Sequence, residues 1–159
     1  MAAARPEIRP ATADIRPMLE EDLQQVMAVE TSAYQFPWTE GIFRDCLHVG
    51  YTCRVLDIGG DVAGYGIMSL GAGEAHILNL CIRAEYQCRG FGRRLLLYLL
   101  ERARASGMQE AFLEVRPSNS AAVRLYTAMG FENVGVRRGY YQAVAGREDA
   151  TVLRRLLQS

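Results

Sequence analysis

In the stretch YQCRGFGRRLLL (86–97), Gly90 and Gly92 stand one residue apart at the head of a leucine-rich run. Glycine is among the residues a helix interior tolerates least. The pair therefore marks either a plain turn after a strand or a backbone cradle for an anion. A strand, a glycine turn and a helix start make such a cradle, because the first N–H groups of a helix lack partners and its dipole adds partial positive charge. Glycines let those N–H groups converge on phosphate oxygens, and Arg89, Arg93 and Arg94 bring full charges close by. A Walker loop is excluded, since Arg93-Arg94 follow Gly92 where Lys and Ser or Thr belong. So is the dinucleotide fingerprint, whose third glycine is replaced by Leu95. Read alone, the loop leaves turn and cradle both open.

Other chemistry is sparse. Cys46, Cys53, Cys81 and Cys88 form no C-x-x-C pair, and His48 and His76 lack metal-ligand spacing. Reduced, mostly buried thiols and no metal are expected, as in a cytoplasmic protein. Eighteen basic and eighteen acidic residues cancel, which argues against direct nucleic-acid or anionic-membrane binding. No apolar run approaches bilayer length, and the opening MAAARPEIRPATAD has no signal-peptide core.

A chain of 159 residues fits one domain. Residues 1–12 are expected to be a flexible tail, because small residues and prolines bury too little surface, and 13–159 the domain. The oligomeric state is open, a monomer being the simplest.

The elements that must hold the loop follow from periodicity. Asp14–Met18 reads as a short strand. Leu23, Val26, Met27 and Glu30 recur at helical spacing over residues 20–33. QFPWTE (35–40) interrupts, and Thr39 is a candidate N-cap for a helix through Leu47. Tyr51–Ile58, a Gly59-Gly60-Asp61 turn and Val62–Leu70 read as a hairpin. Ala75–Ile82 is nearly all apolar, as a strand covered on both faces would be. After the glycine loop, Leu96, Leu99, Leu100 and Ala103 define a helix ended by Gly107. Ala111–Arg116 alternates, with Glu114 on the face opposite Leu113. Ala122, Leu125, Tyr126 and Met129 mark a short helix, and Phe131–Arg138 and Asp149–Leu156 the last strands. The order β-α-α-β-β-β-α-β-α-β-β is an α+β domain with a mixed sheet.

Gln87-x-x-Gly90-x-Gly92 between an apolar strand and an amphipathic helix resembles the coenzyme A loop of the GNAT superfamily of N-acetyltransferases. The element order matches from about Asp14 to Leu156. FPWTE, NLCIRAEYQCRGFGRRLL, LEVRPSNSAAVRLYTAMGF and RRGYY with GREDA look, more narrowly, like the bacterial branch that acetylates the N-terminal alanine of a small-subunit ribosomal protein. Cys88 departs from the basic or polar residue common there. The resemblance implies a mostly antiparallel sheet of six to seven strands, flanked by about four helices and split around an acetyl-CoA site.

It also implies roles. The backbone of Leu80, Cys81 and Ile82 would pair with the pantetheine arm, Gln87 would belong to the cofactor site, and the backbone of Cys88, Arg89, Gly90, Phe91, Gly92 and Arg93 would hold the pyrophosphate. Asn119 would bond the arm, although its position at a helix start equally suits an N-cap. Glu114 would be the general base and Tyr126 the acid that protonates the departing sulfur. Both types suit the work: desolvation makes a carboxylate a better base, and a phenol and a thiol are close enough in acidity to exchange a proton. Taken by themselves, Glu114 could be a half-exposed partner of Arg116 and Tyr126 a core residue. QFPWTE, Tyr140 and Tyr141 would flank the acceptor, with Glu40, Glu148 and Asp149 facing its basic segment or simply solvated. Acetyl transfer to another amine, or acyl-CoA sensing without chemistry, remains open at this stage.

Overall fold

A computed structural model describes residues 12–158. The tail expected over 1–12 lies, apart from Thr12, outside the described residues. Seven strands and four helices alternate in the expected order: β1 Ala13–Pro17, α1 Leu23–Ala33, α2 Glu40–His48, β2 Thr52–Ile58, β3 Asp61–Gly71, β4 Glu74–Ile82, α3 Phe91–Ala105, β5 Glu110–Val115, α4 Ser120–Ala128, β6 Glu132–Ala143 and β7 Gly146–Leu156. The strands form one mixed sheet in the order β1-β2-β3-β4-β5-β7-β6. β4 and β5 run parallel, as a connection through a helix requires, and the β1–β2, β5–β7 and β6–β7 pairs are antiparallel.

The chain groups into two compact units, one reaching Ile67 and taking Asn79–Leu96, the other taking Met68–Leu78 and everything from Leu97. In the first unit, the apolar faces of α1 and α2 contribute Leu23, Val26, Val29 and Phe43 to a core shared with Val55, Val62, Tyr65 and Ile67. Its aromatic members stack in series: Trp38 on Phe43 with ring centroids 5.2 Å apart, and Phe43 edge-on to Tyr65 at 5.6 Å. A second cluster joins Ala13, Leu56, Ile58 and Ala63 to Tyr86 and Phe91. Gly64 is required by close approach, since a Cβ there would lie 2.7 Å from the Cys81 carbonyl oxygen.

In the second unit β5 alternates as expected, burying Ala111, Leu113 and Val115 and leaving Glu114 half-buried. Two sequence expectations need adjustment. β4 is not covered on both faces throughout: Leu78 is exposed and Asn79 and Leu80 are half-buried. β6 and β7 extend well past their expected limits and form a hairpin turning at Val144-Ala145. Register shifts between Asn133 and Gly135 and between Arg137 and Tyr141 break the two-residue alternation that would have marked the full length.

Candidate active site

The loop between β4 and α3 is held at both ends. Tyr86 and Phe91, the residues that bracket it, pack edge to face with centroids 6.5 Å apart inside the apolar cluster. The Gln87 side chain donates to the Ile82 carbonyl at 2.8 Å, tying the loop back to the end of β4. Between these anchors Cys88 and Gly90 are both left-handed, with φ of 62° and 82°. Gly90 thus supplies the conformation its type permits, whereas Cys88 adopts it against the preference of a residue with a Cβ. Sequence reasoning placed both glycines in the loop. In the structure Gly92 is already the second residue of α3, so the cradle consists of the 87–90 turn followed by the N–H groups that open the helix. A Cβ on Gly90 would meet nothing within 4 Å.

The arginines divide. Arg93 is exposed beside the helix start. Arg94 instead donates to the Ala13 carbonyl at 3.0 Å and fastens α3 to β1. Leu80, Cys81 and Ile82 close β4 beyond its pairing with β5, which covers Glu74–Ile77. Tyr34 donates its hydroxyl to the Leu80 carbonyl at 3.3 Å. Cys81 is buried, and burial pushes its thiol up. All four cysteines are free thiols, with burial raising Cys53 to about 11. Among the described residues no group of three His, Cys, Asp or Glu side chains is placed to hold a metal.

In the second unit Glu114 and Tyr126 share a neighbourhood with Tyr140 and Tyr141. Burial, then Tyr140, Glu114 and Tyr126 nearby, push the Tyr141 phenol above its usual range, against the pull of Arg116. Glu114 pairs with Arg137, Oε1 to Nη1 at 3.1 Å, a partner the sequence did not suggest. Arg116 pairs with Glu148 at 3.1 Å and lies 4.3 Å over the Tyr141 ring. Arg137 lies 4.4 Å over Tyr140, and the two tyrosines meet edge to face at 4.8 Å. A continuous chain of charge and π contacts therefore runs Glu148–Arg116–Tyr141–Tyr140–Arg137–Glu114. Sequence reasoning had both arginines in its expected strands but missed these pairings, because the register shifts between β6 and β7 cannot be read from spacing. Tyr126 is buried on α4, its ring edge-on to Phe131 at 5.8 Å.

Asn119 caps α4, its Oδ1 accepting from the Ala122 N–H at 3.2 Å, so the side-chain NH2 is what it offers a ligand. The expected acceptor acids are largely structural. Glu148 accepts from the Ser118 hydroxyl and N–H as well as from Arg116, and these bonds hold its carboxyl below the usual range. Asp149 accepts from the Gly139 N–H at 2.8 Å. Arg147 faces the Gly139 carbonyl and neither acid. Glu40, exposed at the head of α2, makes a 3.5 Å pair with Arg44.

An α+β domain with a glycine turn before α3, and with a carboxylate of β5 near the phenols of α4 and β6, has the parts an acyl-transfer class of protein uses. The chain belongs to the acetyltransferase (GNAT) family, whose model matches residues 14–131. A ribosomal protein bS18-alanine N-acetyltransferase of Escherichia coli is 36% identical over 132 residues, 83% of this chain and 89% of that protein. The crystal structure of the Escherichia coli ribosomal-protein alanine N-acetyltransferase superposes with a TM-score of 0.86 at 33% identity, covering 92% of this chain and 95% of that one. The yncA protein of Salmonella typhimurium, solved with its cofactor acetyl-CoA, shares the fold with a TM-score of 0.76 at 19% identity over 92% of this chain and 95% of that one.

Proposed function

We propose that the chain moves the acetyl group of acetyl-CoA directly onto the α-amine of the N-terminal alanine of ribosomal protein bS18, the activity carried in the name of its 36% identical relative. The observation that carries the cofactor half is the 87–90 turn, where two left-handed residues precede the first N–H groups of α3. There the backbone of Gln87–Arg93 binds the pyrophosphate. The arm runs along Leu80–Ile82, whose backbone lies past the last β4 residue paired to β5, and bonds as an added strand would. Asn119 gives the arm its NH2 donors.

The chemistry needs a neutral amine, a polarised carbonyl and a proton for the thiolate. An α-amine titrates near ~7.7–8.0, so a neutral fraction exists at neutral pH and the base has a modest task. The amine nitrogen attacks the thioester carbon, a backbone N–H near the end of β4 stabilises the oxyanion, and Glu114 takes the proton the nitrogen sheds. The carbon–sulfur bond then breaks, and Tyr126 gives its proton to sulfur. QFPWTE and the Tyr140-Tyr141 pair are the segments proposed to meet the acceptor, with Glu40 the exposed acid offered to its basic segment. Among the described residues no helix is long and apolar enough to cross a membrane, and the proposed site of action is the cytoplasm, where ribosomal proteins are made.

The experiment is to incubate the protein with acetyl-CoA and bS18 and to map the product by fragment mass spectrometry. One acetyl on the alanine nitrogen is expected. Acetyl on a lysine side chain, or none, contradicts the proposal.

A further inference from the structure

Glu30 sits on the apolar face of α1 and is 2% exposed, in company with Leu23 and Val26. Among the described residues it has no cationic partner. A buried carboxylate without one is costly, and an apolar residue of similar volume would serve the core as well or better. The position is therefore explained by what its two oxygens hold. Oε2 accepts from the backbone N–H of Trp38 at 2.9 Å, and Oε1 accepts from the Tyr65 hydroxyl at 2.7 Å and the Asn79 amide at 3.0 Å. One side chain thus joins α1, the loop before α2, β3 and the C-terminal part of β4. The loop is also tied at its start, where Tyr34 reaches the Leu80 carbonyl. Gln35, Phe36 and Pro37, between these ties, are exposed.

We infer that Glu30 is a positioning residue: through Trp38 it fixes the 35–39 loop against the strand end that includes Asn79 and Leu80, and so sets the wall an acceptor peptide meets. This rests on the reading of that loop as part of the acceptor site. The three donors are unlike in one useful respect. A Tyr hydroxyl can turn from donor to acceptor and an Asn amide can flip, whereas a backbone N–H can only donate. A glutamine at position 30 can accordingly keep its oxygen for Trp38 and present its NH2 to a reversed Tyr65 and Asn79. A methionine of similar size offers Trp38 nothing.

The test compares Glu30→Gln and Glu30→Met with the parent in steady-state assays of an Ala-Arg peptide and acetyl-CoA. Glu30→Met should raise the peptide KM at least tenfold while the KM for acetyl-CoA stays within twofold, and Glu30→Gln should restore the peptide KM to within about threefold of the parent. Tyr65→Phe, which leaves the Trp38 bond intact, should leave the peptide KM unchanged. A merely structural role would instead move both KM values together or neither, and either result overturns the inference, as does a Gln variant as impaired as the Met variant. Trp38 is the sole tryptophan, so its fluorescence should shift to the red in Glu30→Met and not in Glu30→Gln. If Glu30→Met fails to fold, hydrogen exchange in the parent decides: the Trp38 amide must be protected although it lies in a loop, and exchange at the free-peptide rate overturns the tether. A parent protein that transfers nothing to the peptide refutes the acceptor reading instead, and the fluorescence and exchange comparisons still test the tether.

Discussion

At the scale of single residues, the pair to question is Glu114 and Tyr126. Glu114 is held by Arg137, which an incoming α-amine, itself cationic until it loses its proton, must share or displace. Glu114→Gln keeps the shape and removes the proton acceptor, so turnover should fall about 10²–10⁴-fold, the range general-base catalysis supplies, with acetyl-CoA affinity little changed. Tyr126→Phe keeps the ring against Phe131 and removes the proton donor. A fall of about the same size in kcat, with the substrate KM values retained, is expected. Single-turnover kinetics with calorimetric titration of acetyl-CoA checks both, and near-parent turnover in Tyr126→Phe returns that residue to the core. The two proposed roles rest on family pattern, since a glutamate in a strand and a tyrosine on a helix face carry no signal of their own. Arg137 and Arg116 were not legible in their pairings. Each is placed by register across strands, and the β6 bulges hide that register from a period-two reading.

Among the elements, the helices and β5 were legible because their burial follows one period. The leucine stripe of α3, the Thr39 cap of α2 with its Oγ1 accepting from Ile42, and the alternation of β5 all match what spacing demanded. The left-handed Cys88 was not legible, because its conformation is imposed by the anchors Tyr86, Gln87 and Phe91 and not by its own preference. Gly90→Ala tests the loop at this scale. The added Cβ meets no protein atom, so the folding penalty is the left-handed backbone alone, about 1–2 kcal/mol. Acetyl-CoA affinity should drop by more than tenfold in the folded variant if the backbone is the cradle. Unchanged affinity makes the loop a turn only.

A second elemental feature is the clasp at β1. Asp22 accepts from both terminal nitrogens of Arg16, at 2.8 and 2.9 Å, and from the Leu19 N–H at 2.8 Å, while Arg16 Nε reaches Asp57. The Arg16 bond, opposed by burial, holds the Asp22 carboxyl below its ordinary value. Because folding lowers this pKa, the clasp contributes fully above the unfolded value of ~3.9 and its contribution is lost as pH falls through the lower folded value. Asp22→Asn should cost about 1–3 kcal/mol at neutral pH, as charged hydrogen bonds do, and the gap from the parent should close on acidification. Urea unfolding at a series of pH values measures it, and a gap independent of pH removes Asp22 from the account.

For the whole molecule, the central claim is transfer to an α-amine. All eighteen basic residues are arginine, so the enzyme brings no side-chain amine of its own to an acceptor assay. The net charge of zero gives no general attraction to ribosomal RNA, and selection of the substrate therefore falls to the amine and the few residues after it. The most direct measurement compares three acceptors under saturating acetyl-CoA: an Ala-Arg peptide with a free N-terminus, the same peptide N-terminally blocked, and a blocked peptide containing lysine. Rapid release of coenzyme A thiol is expected with the first and background release with the other two. Equal rates for the free and blocked Ala-Arg peptides, or preference for the lysine peptide, would contradict transfer to an α-amine.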